Sequence, residues 1–245
     1  PDGTVHLVAA TDEGIERLRF VLALDDDHSE FLRRFGGDPL LGRALSHLRG
    51  LRPVRTATVA QAFLRALCGQ LIDWKSAKRL ERKVLAATCE SFGDGFLVPP
   101  TSAALGARSA AELRALGLHA RRAATLIRVC RALDLERLHG VSTAAAVARV
   151  ERERGLGPWS AGVICLEGLG RYEHGLVGDL GLLELCSALL GRRAETADTV
   201  ELLAPYGEWA GLASMYFLAG FGRGLIPLPD GVESRHDPLL LRRVA

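Results

Sequence analysis

Two short stretches of the sequence combine residue types that can do chemistry. The first, Arg154-Gly155-Leu156-Gly157-Pro158-Trp159-Ser160-Ala161-Gly162, sets glycines in a turn and a proline where a new helix would begin. Proline suits that first position, because its missing N–H would have no partner there anyway. Glycines let the backbone approach another molecule closely, and the N–H groups of a helix start carry partial positive charge. The segment can therefore hold an anion such as a nucleic-acid phosphate without a strongly basic protein around it. A plain connection between two helices would use the same residues. The second stretch, Gly175-Leu176-Val177-Gly178-Asp179-Leu180-Gly181-Leu182, puts a carboxylate after a glycine-containing loop and just before an apolar helical run. Asp179 suits a helix cap, and a capping carboxylate can still present its second oxygen to a ligand.

The elements that must position these groups are mostly helical. From Thr58 onward Val59, Phe63, Leu67, Leu71, Trp74 and Ala77 recur at spacings of three and four, and Leu80, Val84 and Leu85 continue the face of one long helix up to Phe92-Gly93-Asp94-Gly95. Pro99-Pro100 punctuates, and further helices are predicted over 102–105, 109–116, 120–133, from a Ser142 or Thr143 cap to 154, over 182–190 and over 209–218. Before residue 50 the pattern changes. Val5-His6-Leu7-Val8 and Leu18-Arg19-Phe20-Val21-Leu22 suit strands, and Asp25-Asp26-Asp27-His28-Ser29 opens a helix that Gly36-Gly37-Asp38-Pro39 breaks. The organisation predicted is a short mixed α/β segment (1–50), an all-α domain (51–228) and a tail (229–245).

Composition narrows the function classes. The 245 residues hold five cysteines, Cys68, Cys89, Cys130, Cys165 and Cys186, all far apart and in apolar stretches, which predicts buried thiols rather than a zinc or iron–sulfur site. Asp25–Asp27 lacks the loop of a calcium site. Charges interrupt every apolar run before it reaches membrane-spanning length. Pro1-Asp2-Gly3-Thr4 lacks the basic and apolar regions of a secretory signal, so a cytoplasmic, nucleoid-associated place in a bacterial cell is expected. The net charge is only +2, and all three lysines, Lys75, Lys78 and Lys83, lie together. Arg121-Arg122, Arg152–Arg154 and Arg192-Arg193 have the character of solvated helix faces, some within reach of phosphates, and His174 that of a surface histidine close to the second stretch.

The glycine–hydrophobic–glycine hairpin, the glycine-rich loop after it and the Asp179 helix start together resemble the helix-hairpin-helix base-excision glycosylases, in particular their 3-methyladenine DNA glycosylase II branch. Arg65-Ala66-Leu67-Cys68-Gly69-Gln70-Leu71-Ile72 with Ser76-Ala77-Lys78 resembles the family's long DNA-facing helix. Leu116-Gly117-Leu118 with Arg121-Arg122-Ala123, and Pro205-Tyr206-Gly207 with Trp209, Ala213 and Tyr216, resemble two later segments. The likeness covers about residues 55–222. It implies a two-lobed helical glycosylase fold, here with a shortened mixed α/β remnant in front.

The resemblance also implies roles. Asp179 would stabilise the oxocarbenium-like sugar and position water while a damaged, alkylated purine leaves duplex DNA. Gly155, Leu156, Gly157, Ser160, Gln70 and Leu71 would contact DNA, with Leu71 filling the gap left by the flipped nucleotide, and Trp159 and Tyr216 would line the base pocket. An aromatic face at 159 attracts an electron-poor or cationic ring. Relatives with lyase activity carry a lysine where this chain has Trp159, and no lysine follows Lys83, so hydrolysis without β-lyase activity is expected. No cofactor is implied beyond a monovalent cation held by hairpin carbonyls, and a monomer acting on damaged double-stranded DNA is expected. The alternatives are a glycosylase for oxidised or deaminated bases and an inactive helix-hairpin-helix DNA-binding module.

Overall fold

A computed structural model describes residues 4–70, 72–93 and 95–229, so Leu71 and all but the first residue of the predicted tail lie outside the described residues. Among the described residues, nearly all regular structure is helical. The first helix, α1 (Asp12–Val21), occupies the segment where a strand is predicted at 18–22. Its start signals decide the outcome: the Thr11 hydroxyl accepts the Gly14 N–H at 3.1 Å, Asp12 and Glu13 fill the first turn, and Arg19 sits in the last. Residues 4–9 form no regular element, so among the described residues the mixed α/β character expected of this segment is not found. Two short helices, α2 (Ser29–Phe35) and α3 (Gly42–His47), complete it.

The expected long helix is two helices. α4 (Val59–Gly69) ends where Gln70 turns extended, and α5 (Trp74–Thr88) starts anew on Asp73, whose side chain accepts the Ser76 N–H at 3.0 Å. The apolar periodicity continues across the break, which is why it hides the break. After α5 a minimal antiparallel hairpin, β1 (Ser91–Phe92) and β2 (Phe96–Leu97), is the only sheet among the described residues. Then follow α6 (Ser102–Gly106), α7 (Ala110–Ala115), α8 (Ala120–Ala132), α9 (Thr143–Glu151), α10 (Pro158–Val163), α11 (Leu180–Leu190), α12 (Thr196–Leu203) and α13 (Ala210–Phe221). α10 runs straight on into a π-helical turn, Ile164–Leu169. Among the described residues, no helix is long and apolar enough to cross a membrane.

Two helices make the centre. Every residue of α13 is buried, as suits a helix that is apolar all round. α4 buries most of its length against α5, α8, α10 and the π turn. The first fifty residues share this core: Phe31, fully buried on α2, packs its ring on Trp209 and Tyr216.

A buried polar cluster fastens the same segment to the body. The Asp26 carboxylate accepts from the Arg55 guanidinium and the Tyr172 hydroxyl, and the His28 ring bonds the Tyr172 oxygen at 2.9 Å. Burial pushes the Asp26 carboxyl up, but the His28 ring 3.7 Å away, the hydrogen bond from Tyr172 and the Arg55 charge outweigh it and hold it at about 2. A carboxylate depressed in the folded state stabilises above its unfolded pKa, and that contribution disappears as pH falls from about 4 to about 2. Partial solvent screening limits it to about 1–2 kcal/mol. Asp26→Asn is therefore expected to lower unfolding free energy by at least about that amount at pH 7. In urea denaturation series at several pH values, the gap between wild type and variant should narrow steadily below pH 4.

Candidate active site

The hairpin between α9 and α10 is held rigidly. Gly155 has φ +92°, a left-handed conformation that a side chain would strain. The Gln70 amide donates to the Gly155 carbonyl at 2.7 Å and to the Ser160 hydroxyl at 3.3 Å, so the end of α4 clamps the turn. The Thr125 hydroxyl donates to the Arg154 carbonyl at 3.2 Å, and Glu153, buried below, accepts from Arg128 and Arg149. Leu156 and Ser160 are buried, whereas Gly155 is exposed and Gly157 partly so. What the hairpin offers outward is thus backbone: the glycine edge and the first-turn N–H groups of Trp159 and Ser160, which have no carbonyl partner within a helix.

Asp179 caps α11 and is 2% exposed. Its Oδ1 accepts the Gly181 N–H at 2.9 Å and its Oδ2 accepts the Trp159 indole N–H at 2.8 Å. Both oxygens are thereby oriented, one by its own helix and one by the hairpin helix. The far edge of the indole rests against Gly69, where an added Cβ would stand 2.8 Å from Cη2. Asp179, Trp159, Trp74, Lys75 and Glu184 line a cavity of about 530 Å³ bordered by the hairpin, the start of α11 and the α4–α5 junction. His174 also serves the hairpin, its ring nitrogen lying 3.2 Å from the Pro158 carbonyl oxygen.

No family model matches the sequence. A DNA-3-methyladenine glycosylase of Bacillus subtilis is 23% identical over 203 residues, which cover 79% of this chain and 67% of that protein. The solved structure of a 3-methyladenine DNA-glycosylase from Archaeoglobus fulgidus matches with a TM-score of 0.74 at 21% identity, over 85% of this chain and 74% of its own. A Clostridium acetobutylicum 8-oxoguanine glycosylase/lyase, solved with double-stranded DNA, matches with a TM-score of 0.72 at 17% identity, over 84% of this chain and 74% of its own. The chain has the fold of these DNA glycosylases.

Two further features of this helix-hairpin-helix glycosylase fold were not legible in its sequence. A smaller cavity of about 220 Å³ shares Gly69, Ile72, Trp74 and Trp159 with the first and continues between Val163, Leu166, Met215 and Leu218. Tyr216, expected in the base pocket, is not among the residues lining either cavity. It is fully buried, its hydroxyl donates to the Leu48 carbonyl at 3.2 Å, and its ring packs on Phe31. Its neighbours Met215 and Leu218, three apart on α13, face the cavity instead, because one residue step turns a helix by about 100°. The second feature is a basic groove beside Gln70 and Gly155, lined by His119, Arg121, Arg122, Arg128, Arg152 and Arg154. These arginines look like scattered helix faces in the sequence, and the packing of α8 beside the α9–α10 turn gathers them. Among the described residues, no group of three or more His, Cys, Asp or Glu is arranged to hold a metal ion.

Gly69→Ala tests how tightly the indole is seated. On an open helical surface this change would stabilise by up to about 1 kcal/mol, but here the new methyl meets Trp159 and should cost about 1–3 kcal/mol in chemical denaturation.

Proposed function

We propose that this chain is a monofunctional DNA glycosylase that hydrolyses the N-glycosidic bond of alkylated purines in duplex DNA. The observation that carries this reading is the Asp179 carboxylate, held by the Gly181 and Trp159 N–H donors in a cavity bordered by the glycine-rich hairpin. As a base departs, positive charge builds on the deoxyribose, and a fixed carboxylate stabilises it and orients water for attack. The bond is out of reach within the duplex, so the nucleotide is extruded into the cavity, at a cost that damage lowers. Gln70 and Ile72 line the cavity, and we assign to Leu71, between them, the filling of the vacated stack. Gly155 and Gly157 with the α10 N–H groups hold the backbone, and the arginine groove extends that contact. Trp159 supplies an aromatic face to an electron-poor base. Alkylated purines leave readily, which suits a site centred on one buried carboxylate.

Trp159 cannot form a Schiff base, which favours hydrolysis alone. Lys75 lines the larger cavity, however, and is the amine that would account for any strand nicking. A monovalent cation at the hairpin would share the Arg154 and Gly155 carbonyls with Thr125 and Gln70, which makes replacing potassium by tetramethylammonium in binding assays informative. The likeness to an 8-oxoguanine glycosylase/lyase keeps oxidised bases as the second substrate class to assay.

Asp179→Asn should lose at least about a hundredfold in base release from methylated duplex DNA. Asparagine still caps a helix, so binding to the same DNA should stay within a few-fold of wild type. Chromatography of released bases, with a denaturing gel to show uncut abasic strands, checks both. Replacing Arg121 and Arg122 together by alanine should weaken binding without changing single-turnover release at saturating DNA. Titration at several salt concentrations should show the slope of log K against log salt falling by about one to two.

A further inference from the structure

The smaller cavity is not simply an apolar slot. Four charged side chains from three different elements line it: Arg65 of α4, Lys78 and Glu81 of α5, and Glu167 of the π turn. Lys78 lies over the Trp74 ring, 4.4 Å from its centroid, and the other three pair with one another. The Arg65 Nε lies 3.2 and 3.1 Å from the two Glu81 oxygens, its Nη2 donates to Glu81 Oε1 at 3.1 Å, and its Nη1 donates to Glu167 Oε2 at 2.6 Å. Burial alone would lower the Arg65 pKa, but the Glu167 and Glu81 charges outweigh it and raise it, so the guanidinium is permanently charged. Glu81 is 8% exposed and its carboxylate is taken up by Arg65, with the Gln61 amide at 3.5 Å. Glu167 differs. Its side chain is 27% exposed, and among the described residues only Arg65 bonds its carboxylate, through Oε2.

Holding a partly buried ionic triad beside aromatic walls costs desolvation that well-packed apolar residues would avoid. A slot meant to hold any electron-poor ring would need only Trp74, Trp159 and the aliphatic side chains around them. The triad supplies something those walls lack: an acceptor beside a donor, fixed in direction by each other.

We propose that Glu167, held by Arg65, reads the edge of the extruded purine and favours a guanine-type edge over an adenine-type edge. This rests on the glycosylase reading above. A guanine-type edge presents a carbonyl, an N–H and an amino group in a row. A carboxylate accepts from the last two together, and a guanidinium donates to the first. An adenine-type edge presents one amino group beside a ring acceptor, which leaves the carboxylate half satisfied and sets two acceptors against each other. Sites built to hydrogen-bond a substrate group discriminate strongly against analogues that lack it. N7-alkylated and 8-oxidised guanines share this edge, and the Trp159 ring lining the cavity favours the cationic alkylated ring. Undamaged guanine has the same edge but a far poorer leaving group, so the edge selects among lesions and the bond chemistry rejects normal bases.

The test uses methylated duplex DNA, which presents 7-methylguanine and 3-methyladenine to the same enzyme in one digest. Wild type should release 7-methylguanine in preference per lesion. In Glu167→Gln the amide N–H₂ opposes the base's donors, and the ratio of 7-methylguanine to 3-methyladenine should fall about tenfold. Being a ratio, it does not depend on how much of the variant is folded. An unchanged ratio overturns the assignment. An oligonucleotide carrying 8-oxoguanine separates the sources: Glu167-dependent excision there supports the edge reading and extends it to oxidised guanine, while excision unaffected by the variant counts against it. If wild type releases no base at all, the glycosylase reading fails, and binding of the free bases still decides this one. Tighter quenching of tryptophan fluorescence by 7-methylguanine than by 3-methyladenine, lost in Glu167→Gln, supports the slot. Equal quenching by both bases in both proteins overturns it.

Discussion

The hydrogen bond from the Trp159 indole N–H to Asp179 Oδ2 joins the two stretches of sequence that carry chemistry, and much of the surrounding structure keeps that bond in place. Asp179 is nearly inaccessible, and a buried carboxylate stripped of a donor is costly, so the indole and the carboxylate must move together or not at all. The indole in turn is seated against Gly69 at the end of α4, and one residue further the Gln70 amide clamps the Gly155 carbonyl. The end of α4 thus sets the position of the hairpin and, through the ring, that of the carboxylate on α11. Fixing both oxygens before substrate arrives is what electrostatic stabilisation of a developing cation requires, because little reorganisation remains to be done.

Around this bond the labour divides by chemistry. Backbone N–H groups and the arginines beside the hairpin meet negative charge, the buried carboxylate meets the positive charge that develops on the sugar, and aromatic and ionic side chains share the smaller cavity. The net charge of +2 conceals this arrangement. Arginines gathered into one groove and acidic residues spent on ion pairs such as Glu153 with Arg128 and Arg149 give a local field that the total does not reveal.

How much of this was legible in sequence follows the range of each interaction. The hairpin and the Asp179 cap were legible because glycine, proline and aspartate act on their own few residues. The Thr11-Asp12-Glu13 start of α1 was equally local, yet the strand preference of Phe20 and Val21 masks it, and the cap prevails in the fold. The division of α4 from α5 was hidden because the apolar spacing carries on through the junction. Residues whose role depends on distant packing were beyond reach. Nothing in the sequence distinguishes Tyr216, locked under Leu48 and Phe31, from Met215 and Leu218, which line the cavity. The convergence of Arg65, Glu81 and Glu167, more than a hundred residues apart at the extremes, needs the fold itself.

The most direct test of the central claim is the single-turnover rate of base release by Trp159→Phe on methylated duplex DNA. Phenylalanine keeps an aromatic face for the base but removes the N–H donated to Asp179, together with the ring edge seated against Gly69. The account predicts a rate at least about tenfold slower, the loss of one hydrogen bond to a charged group, with DNA affinity little changed. A Trp159→Phe rate equal to wild type would show that the indole–carboxylate bond does not position the reacting group.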